Sequence, residues 1–165
     1  MKLMRQIEGY RYTDGGVCAA DGFMSNGINC GLNPNKNKND ICLIYSEREC
    51  NVAAVYTTNK VKGAPITVSK KNMAKSGNRA HAVIANSKNA NTCNRDGEEK
   101  AFRMCELAAE ELGIKPEEIV VASTGVIGQE LPIEPIESHM KELCNGLSED
   151  GNLRAAEAIM TTDTF

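Results

Sequence analysis

Long apolar runs are missing from this sequence. No window approaches the roughly 20 residues that a membrane-spanning helix needs. Met1 to Tyr10 carry Lys2, Arg5 and Glu8 without the apolar stretch of a signal peptide. A cytoplasmic location is therefore expected. An excess of one charge is missing too: the formal net charge is -3 and the pI about 5.5. Neither nucleic acid nor an anionic membrane is expected as a partner on bulk electrostatics.

Histidine is scarce, with only His81 and His139, and a lone histidine is more often structural or solvated than catalytic. The seven cysteines (18, 30, 42, 50, 93, 105 and 144) are odd in number and form no CxxC pair. That speaks against a disulfide framework and against a zinc ribbon, and for reduced thiols. GxSxG, Walker, HExxH and dinucleotide signatures are all lacking, so no metal and no cofactor is expected.

What is there suits one domain. The chain has 165 residues, 41% of them hydrophobic and 25% charged, enough to bury a core without staples. Residues 9 to 39 are rich in Gly and Asn and read as turns. Ile41–Tyr45 and Val52–Tyr56, separated by the charged Glu47–Glu49 segment, read as two antiparallel strands. Ile66–Val68 and Ala80–Ala85 are further strand candidates. Phe102, Cys105, Ala109 and Leu112 recur at helical spacing, with Asp96 and Glu99 as a capping pair and Gly113 as the stop.

Ile119–Ala122 is a short β-branched run that suits a strand buried on both faces. Helices are expected over Pro135–Cys144 and Leu153–Met160. The order is α+β, an α/β chain without the regular alternation of a doubly wound sheet.

Three segments invite chemistry. In Ser123-Thr124-Gly125-Val126-Ile127-Gly128 a strand gives way to a turn with two glycines. Such a turn can aim backbone N–H groups into a cleft, with the Thr124 hydroxyl as a further donor, as an oxyanion site requires. A plain strand-to-helix turn fits the same spacing. Met160-Thr161-Thr162-Asp163-Thr164 offers hydroxyls that could hold the polar end of an amino acid, or an ordinary threonine-rich turn. Asn86-Ser87-Lys88-Asn89-Ala90-Asn91 could satisfy turn backbone or shape a polar pocket.

Taken in order, these pieces resemble one family. Gly22-Phe23, Gly31-Leu32 and Asp40 come first, then Ala53-Ala54-Val55-Tyr56-Thr57-Thr58-Asn59 and Val61-Lys62-x-Ala64-Pro65. Asn86-Ser87-x-Asn89-Ala90-Asn91, Ala122 to Gly128 with Leu131-Pro132, and Ala158 to Thr164 follow. Together they resemble the ornithine acetyltransferase (glutamate N-acetyltransferase) family over most of the chain.

The resemblance implies an alpha chain of a self-cleaving precursor, whose beta chain begins with the nucleophilic Thr and lies beyond Phe165. It implies acetyl transfer from N-acetylornithine to glutamate in ping-pong fashion, and leaves acetyl-CoA open as a further donor. It implies layered sheets between helices in a fold shared with self-processing aminopeptidases, alpha and beta chains interlocked, and an alpha2-beta2 heterotetramer. Thr124 and Gly125 would stabilise the oxyanion; Thr161, and with less weight Thr162, would contact substrate. Departures stand beside it: Lys88 where the family usually has Gly, Asn94-Arg95 in place of small residues, and Ser25-Asn26-Gly27-Ile28-Asn29-Cys30 in place of an Ala and Gly stretch. A self-processing aminopeptidase or hydrolase and a non-catalytic module of the same fold are the alternatives.

Overall fold

The computed structural model describes residues 7–161. A four-stranded mixed sheet has the order β1-β2-β3-β4, from β1 (Phe23–Ile28), β2 (Ile41–Asn51), β3 (Arg79–Asn86) and β4 (Ile119–Ser123). The first three are antiparallel neighbours, and β4 runs parallel to β3. That parallel step needs a crossover, supplied by α2 (Gly97–Leu112). The remaining helices are α1 (Ala64–Lys75), α3 (Glu134–Asn145) and α4 (Asn152–Ile159).

The core lies on one face. Leu43, Ile84 and Val121 share a row of the ladder and pack with Val68 of α1, Met104 of α2 and Leu143 of α3. Period-two alternation puts Ile44, Val83 and Val120 on the other face, where α4 packs through Ala155 and Ala158 against Cys42 and Ala85, and the turn Gly16–Cys18 meets Ser25 of β1. β4 is therefore buried on one face, not both: Ile119 and Val121 are buried while Ala122 is exposed.

Several expectations change. Residues 9 to 39 contain β1, whose Ser25, Asn26 and Gly27 read as turn yet are buried. Asn26 Nδ2 donates to Leu143 O at 2.9 Å, and a Cβ on Gly27 would lie 3.0 Å from Ala155 N and closer still to the Arg154 carbonyl. Asn26 is inside because its partner comes from distant α3, while the Ser25 hydroxyl meets Cys18 Sγ at 3.0 Å. The run Ile41–Tyr45 does not pair with Val52–Tyr56. It continues through the charged segment as one strand with an irregularity between Tyr45 and Cys50, and after Val52 N donates to Asn78 O (2.9 Å) the chain through Tyr56 leaves the sheet.

Ile66–Val68 is helical, not extended. Pro65 sits in the first turn of α1, and Pro65, Val68, Ser69, Asn72 and Met73 form its buried face. Two of those five are polar because α1 covers the free edge of β4. Ser69 Oγ donates to Val121 O (2.8 Å) and accepts from Val121 N (3.0 Å), and Asn72 Nδ2 donates to Ile119 O (2.9 Å). These bonds replace a missing strand. Asp96 does stand at the start of α2, but makes no side-chain capping bond; its carboxylate pairs with Lys100 at 2.6 Å. Gly113 ends α2 in the left-handed conformation at φ 69°, as expected.

Candidate functional site

β4 ends at Ser123, and the next residues form the rim of a cleft of about 450 Å³. Its wall is largely apolar, with Val120, Ala122 and Ile127 on one side and Pro65 and Tyr56 on the other. Thr124 N donates to Asn86 O (2.9 Å), extending the ladder one residue past the strand. Neither the Thr124 hydroxyl nor the Gly125 N–H has a hydrogen-bond partner among the described residues. Two adjacent donors thus line one cleft with apolar walls, where a hydrogen bond to a developing anion is worth more than in water.

The turn is held from behind by the asparagine segment. Val126 N donates to Lys88 O (3.1 Å) and Ala90 N to Val126 O (2.9 Å). Gly125 has φ 133°, and a Cβ there would lie 2.5 Å from Asn89 N and 2.6 Å from Lys88 O. Only glycine permits that approach.

Asn86, fully buried, donates to Ser87 O (3.1 Å) and Asn89 O (3.0 Å) and accepts from Ser123 Oγ (2.6 Å). Asn89 Nδ2 donates to Gln129 O (3.0 Å) and Glu130 O (3.1 Å), and its Oδ1 accepts from Asn91 N (2.8 Å). Asn91 Nδ2 reaches Gly97 O at 2.8 Å, tying the segment to the start of α2. The asparagines are scaffold behind the donors. Lys88 holds φ 74°, the conformation glycine adopts most easily, with its side chain outside this network.

Thr161 is a half-buried residue just past α4 and does not line the cleft with Thr124 and Gly125. α4 starts against β1, where Gly151 meets Ser25, and reaches Cys42 and Ala85 of β2 and β3 at Ala158. Thr162 lies outside the described residues.

The thiols offer no buried nucleophile. Burial pushes Cys42 up to about 11 and Cys105 and Cys144 up to about 12, and burial with the Asp40 charge raises Cys30 further. All seven cysteines are unpaired. No group of three or more His, Cys, Asp or Glu among the described residues is placed to hold a metal ion. No helix among them is long and apolar enough to cross a membrane.

Sequence reasoning assigned no site role to Tyr56, Pro65, Ser69 or Thr92, all of which line the cleft, although Tyr56 and Pro65 stood in segments that carry the family resemblance. Of these, Pro65 also left a local signal, as a helix starter.

Comparison with known proteins places this geometry. The chain is 43% identical over 155 residues to the arginine biosynthesis bifunctional protein ArgJ of Gloeobacter violaceus, covering 93% of this chain and 38% of that protein. It is 46% identical over 143 residues to ArgJ 1 of Clostridium acetobutylicum, covering 86% of this chain and 34% of that one. The chain thus spans little more than a third of these relatives. Among solved structures, ArgJ from Bacillus halodurans superposes with a TM-score of 0.83 at 35% identity, over 91% of this chain and 78% of that one. The Mycobacterium tuberculosis ornithine acetyltransferase complexed with ornithine gives 0.84 at 31% identity, over 91% of this chain and 81% of that one. A family model matches residues 24–165. The chain belongs to the ArgJ family.

Proposed function

We propose that this chain is the alpha part of an acetyltransferase that moves acetyl from N-acetylornithine to glutamate in arginine biosynthesis. The observation that carries it is the unpartnered donor pair, the Thr124 hydroxyl and the Gly125 N–H, on the rim of a cleft with apolar walls. Family membership and the relatives' printed role in arginine biosynthesis support the substrate class. Ser69, Thr92, Ser123 and Thr124 bring hydroxyls to the cleft, but no His, Lys, Asp or Glu among the described residues lines it to act as their base, and in this reading the nucleophile comes from a beta chain.

In this reading the free amine of a beta-chain Thr takes the proton from its own hydroxyl, which attacks the acetyl carbonyl. The carbonyl oxygen becomes negative and is held by Thr124 and Gly125. Collapse breaks the C–N bond, ornithine leaves with a proton, and an acetyl-threonine ester remains. The amine of glutamate then attacks the ester carbonyl, the same donors hold the second oxyanion, and N-acetylglutamate departs. Thr161, and with less weight Thr162, hold the amino-acid end of the substrate, as the family resemblance implies.

The half-buried row of Ile44, Val83 and Val120 supplies the surface on which the beta chain interlocks, and two such pairs make a heterotetramer. Cytoplasmic residence belongs to the same reading; a fungal relative, from Sordaria macrospora, is named as mitochondrial.

The test is Thr124→Ala in the full-length protein. Loss of one oxyanion donor costs about 3 to 4 kcal/mol of barrier, so kcat should fall roughly 10²- to 10³-fold with KM for N-acetylornithine little changed. Transfer within threefold of wild type would remove Thr124 from the oxyanion site. Free acetate released equally fast with and without glutamate would turn the reading into a hydrolase.

A further inference from the structure

A second cleft lies behind the first. Residues 61–64 and 91–95 run side by side: Ala64 N donates to Asn91 O (3.0 Å), and a Cβ on Gly63 would lie 2.8 Å from Thr92 Oγ1. Gly63, Pro65 and Thr92 face the oxyanion cleft, whereas Lys62, Ala64, Cys93 and Arg95 line a separate cleft of about 560 Å³. The two share a wall one backbone pair thick.

The electrostatics of the second cleft oppose those of the whole chain, whose net charge is -3. Lys62 and Arg95 both line it, and neither has an ion pair or hydrogen bond among the described residues. Its one carboxylate, Glu98, is already taken by Lys71 at 2.6 Å. The neighbouring Asp96 is taken by Lys100 at 2.6 Å. Two uncompensated cations therefore face one opening, beside the Thr67 hydroxyl and Asn94. Glu98 is the second residue of α2, so the cleft also opens at the positive end of a helix of 16 residues. Asn94 is fixed by bonds from its Nδ2 to Asn91 Oδ1 (3.2 Å) and Gln129 O (2.7 Å), so Arg95 leaves a rigid loop.

The geometry points to a binding site in this cleft for the phosphate groups of a small phosphorylated ligand, held by Lys62 and Arg95. Two exposed cations lining one cleft suit an oligoanion better than a single carboxylate, because guanidinium and ammonium together match several phosphate oxygens. The site is independent of the transfer reaction proposed above. Its shared wall places a ligand bound there next to the loop that carries Thr92, so a ligand long enough to cross the wall would reach both clefts.

The experiment is calorimetric titration of the full-length protein with pyrophosphate and, separately, with coenzyme A. Wild type should bind at least one probe, with affinity falling as salt rises from 50 to 200 mM, roughly as expected for released counterions. Lys62→Ala combined with Arg95→Ala should weaken binding at least tenfold while leaving transfer from N-acetylornithine unchanged. Thr124→Ala should bind the probe as wild type does, so loss of transfer and loss of the anion site are separable. Tighter binding of coenzyme A than of pyrophosphate assigns the site to a nucleotide-bearing ligand, and the reverse assigns it to free phosphates. Absence of binding for both probes, or binding indifferent to the double variant, would overturn the site.

Discussion

Replacing Gly125 with alanine tests the construction of the donor turn more sharply than any side-chain deletion. The new Cβ would lie 2.5 Å from Asn89 N and 2.6 Å from Lys88 O, with the Lys88 carbonyl carbon nearer still. All three are backbone atoms, so no side chain can swing aside. Ordinary contact begins near 3.5 Å, so the two segments must part by about 1 Å. Parting them strains or breaks Val126 N to Lys88 O and Ala90 N to Val126 O, each worth about 0.5 to 1.5 kcal/mol. The φ of 133° adds about 1 to 3 kcal/mol for any L residue.

The sum is roughly 2 to 6 kcal/mol, combining these ranges. Gly128→Ala is the control. It also has positive φ, 77°, but no atom within 4 Å of the added methyl, so it should cost only about 1 to 2 kcal/mol. Urea denaturation of the two variants in the full-length protein, followed by the acetyl-transfer assay, separates packing from conformation. Equal stability of the two, with Gly125→Ala retaining full transfer, would refute the tight approach of the two segments.

Asn86→Ala removes two donations to carbonyls and the acceptor of Ser123 Oγ at a fully buried position, and should lower stability by about 2 to 4 kcal/mol with transfer impaired; a urea midpoint within experimental error of wild type would contradict it. Cys42, raised from 9.0 to about 11, and Cys105, raised to about 12, stay neutral in the fold above the pH at which the unfolded thiols ionise. Their contribution is complete below pH 9 and is lost as pH rises toward 11 to 12, so stability measured by urea should fall across that window less steeply in Cys42→Ala. Alkylation at pH 8 should mark exposed Cys93 before Cys42 or Cys105; the opposite order would contradict their burial.

The elements legible in the sequence were those whose pattern is local. α2 announced itself by Phe102, Cys105, Ala109, Leu112 and the Gly113 stop, and β3 and β4 by continuous apolar residues. β1 and α1 were illegible because their buried faces include Asn26, Ser69 and Asn72, whose partners lie 117, 52 and 47 residues away in the chain. A polar residue reads as surface until the distant carbonyl it serves is known.

The site divides the same way. Thr124 and Gly125 were visible as a glycine turn after a strand, but that spacing alone fitted an ordinary turn equally well. What singles it out is the contact of Gly125 with the Lys88–Asn89 backbone, a tertiary fact. Tyr56 stood in a family segment and an expected strand without pointing to the cleft, and Thr92 carried no local signal. The Lys62 and Arg95 cleft exists only because residues 61–64 and 91–95 pair across the chain.

The central claim concerns where negative charge sits during acyl transfer. A structure of the full-length protein bound to a tetrahedral analogue of the N-acetylornithine addition step tests it most directly. The account predicts the anionic oxygen roughly 2.7 to 3.1 Å from both Thr124 Oγ1 and Gly125 N. An oxygen turned away from both atoms, held by donors elsewhere, would contradict it.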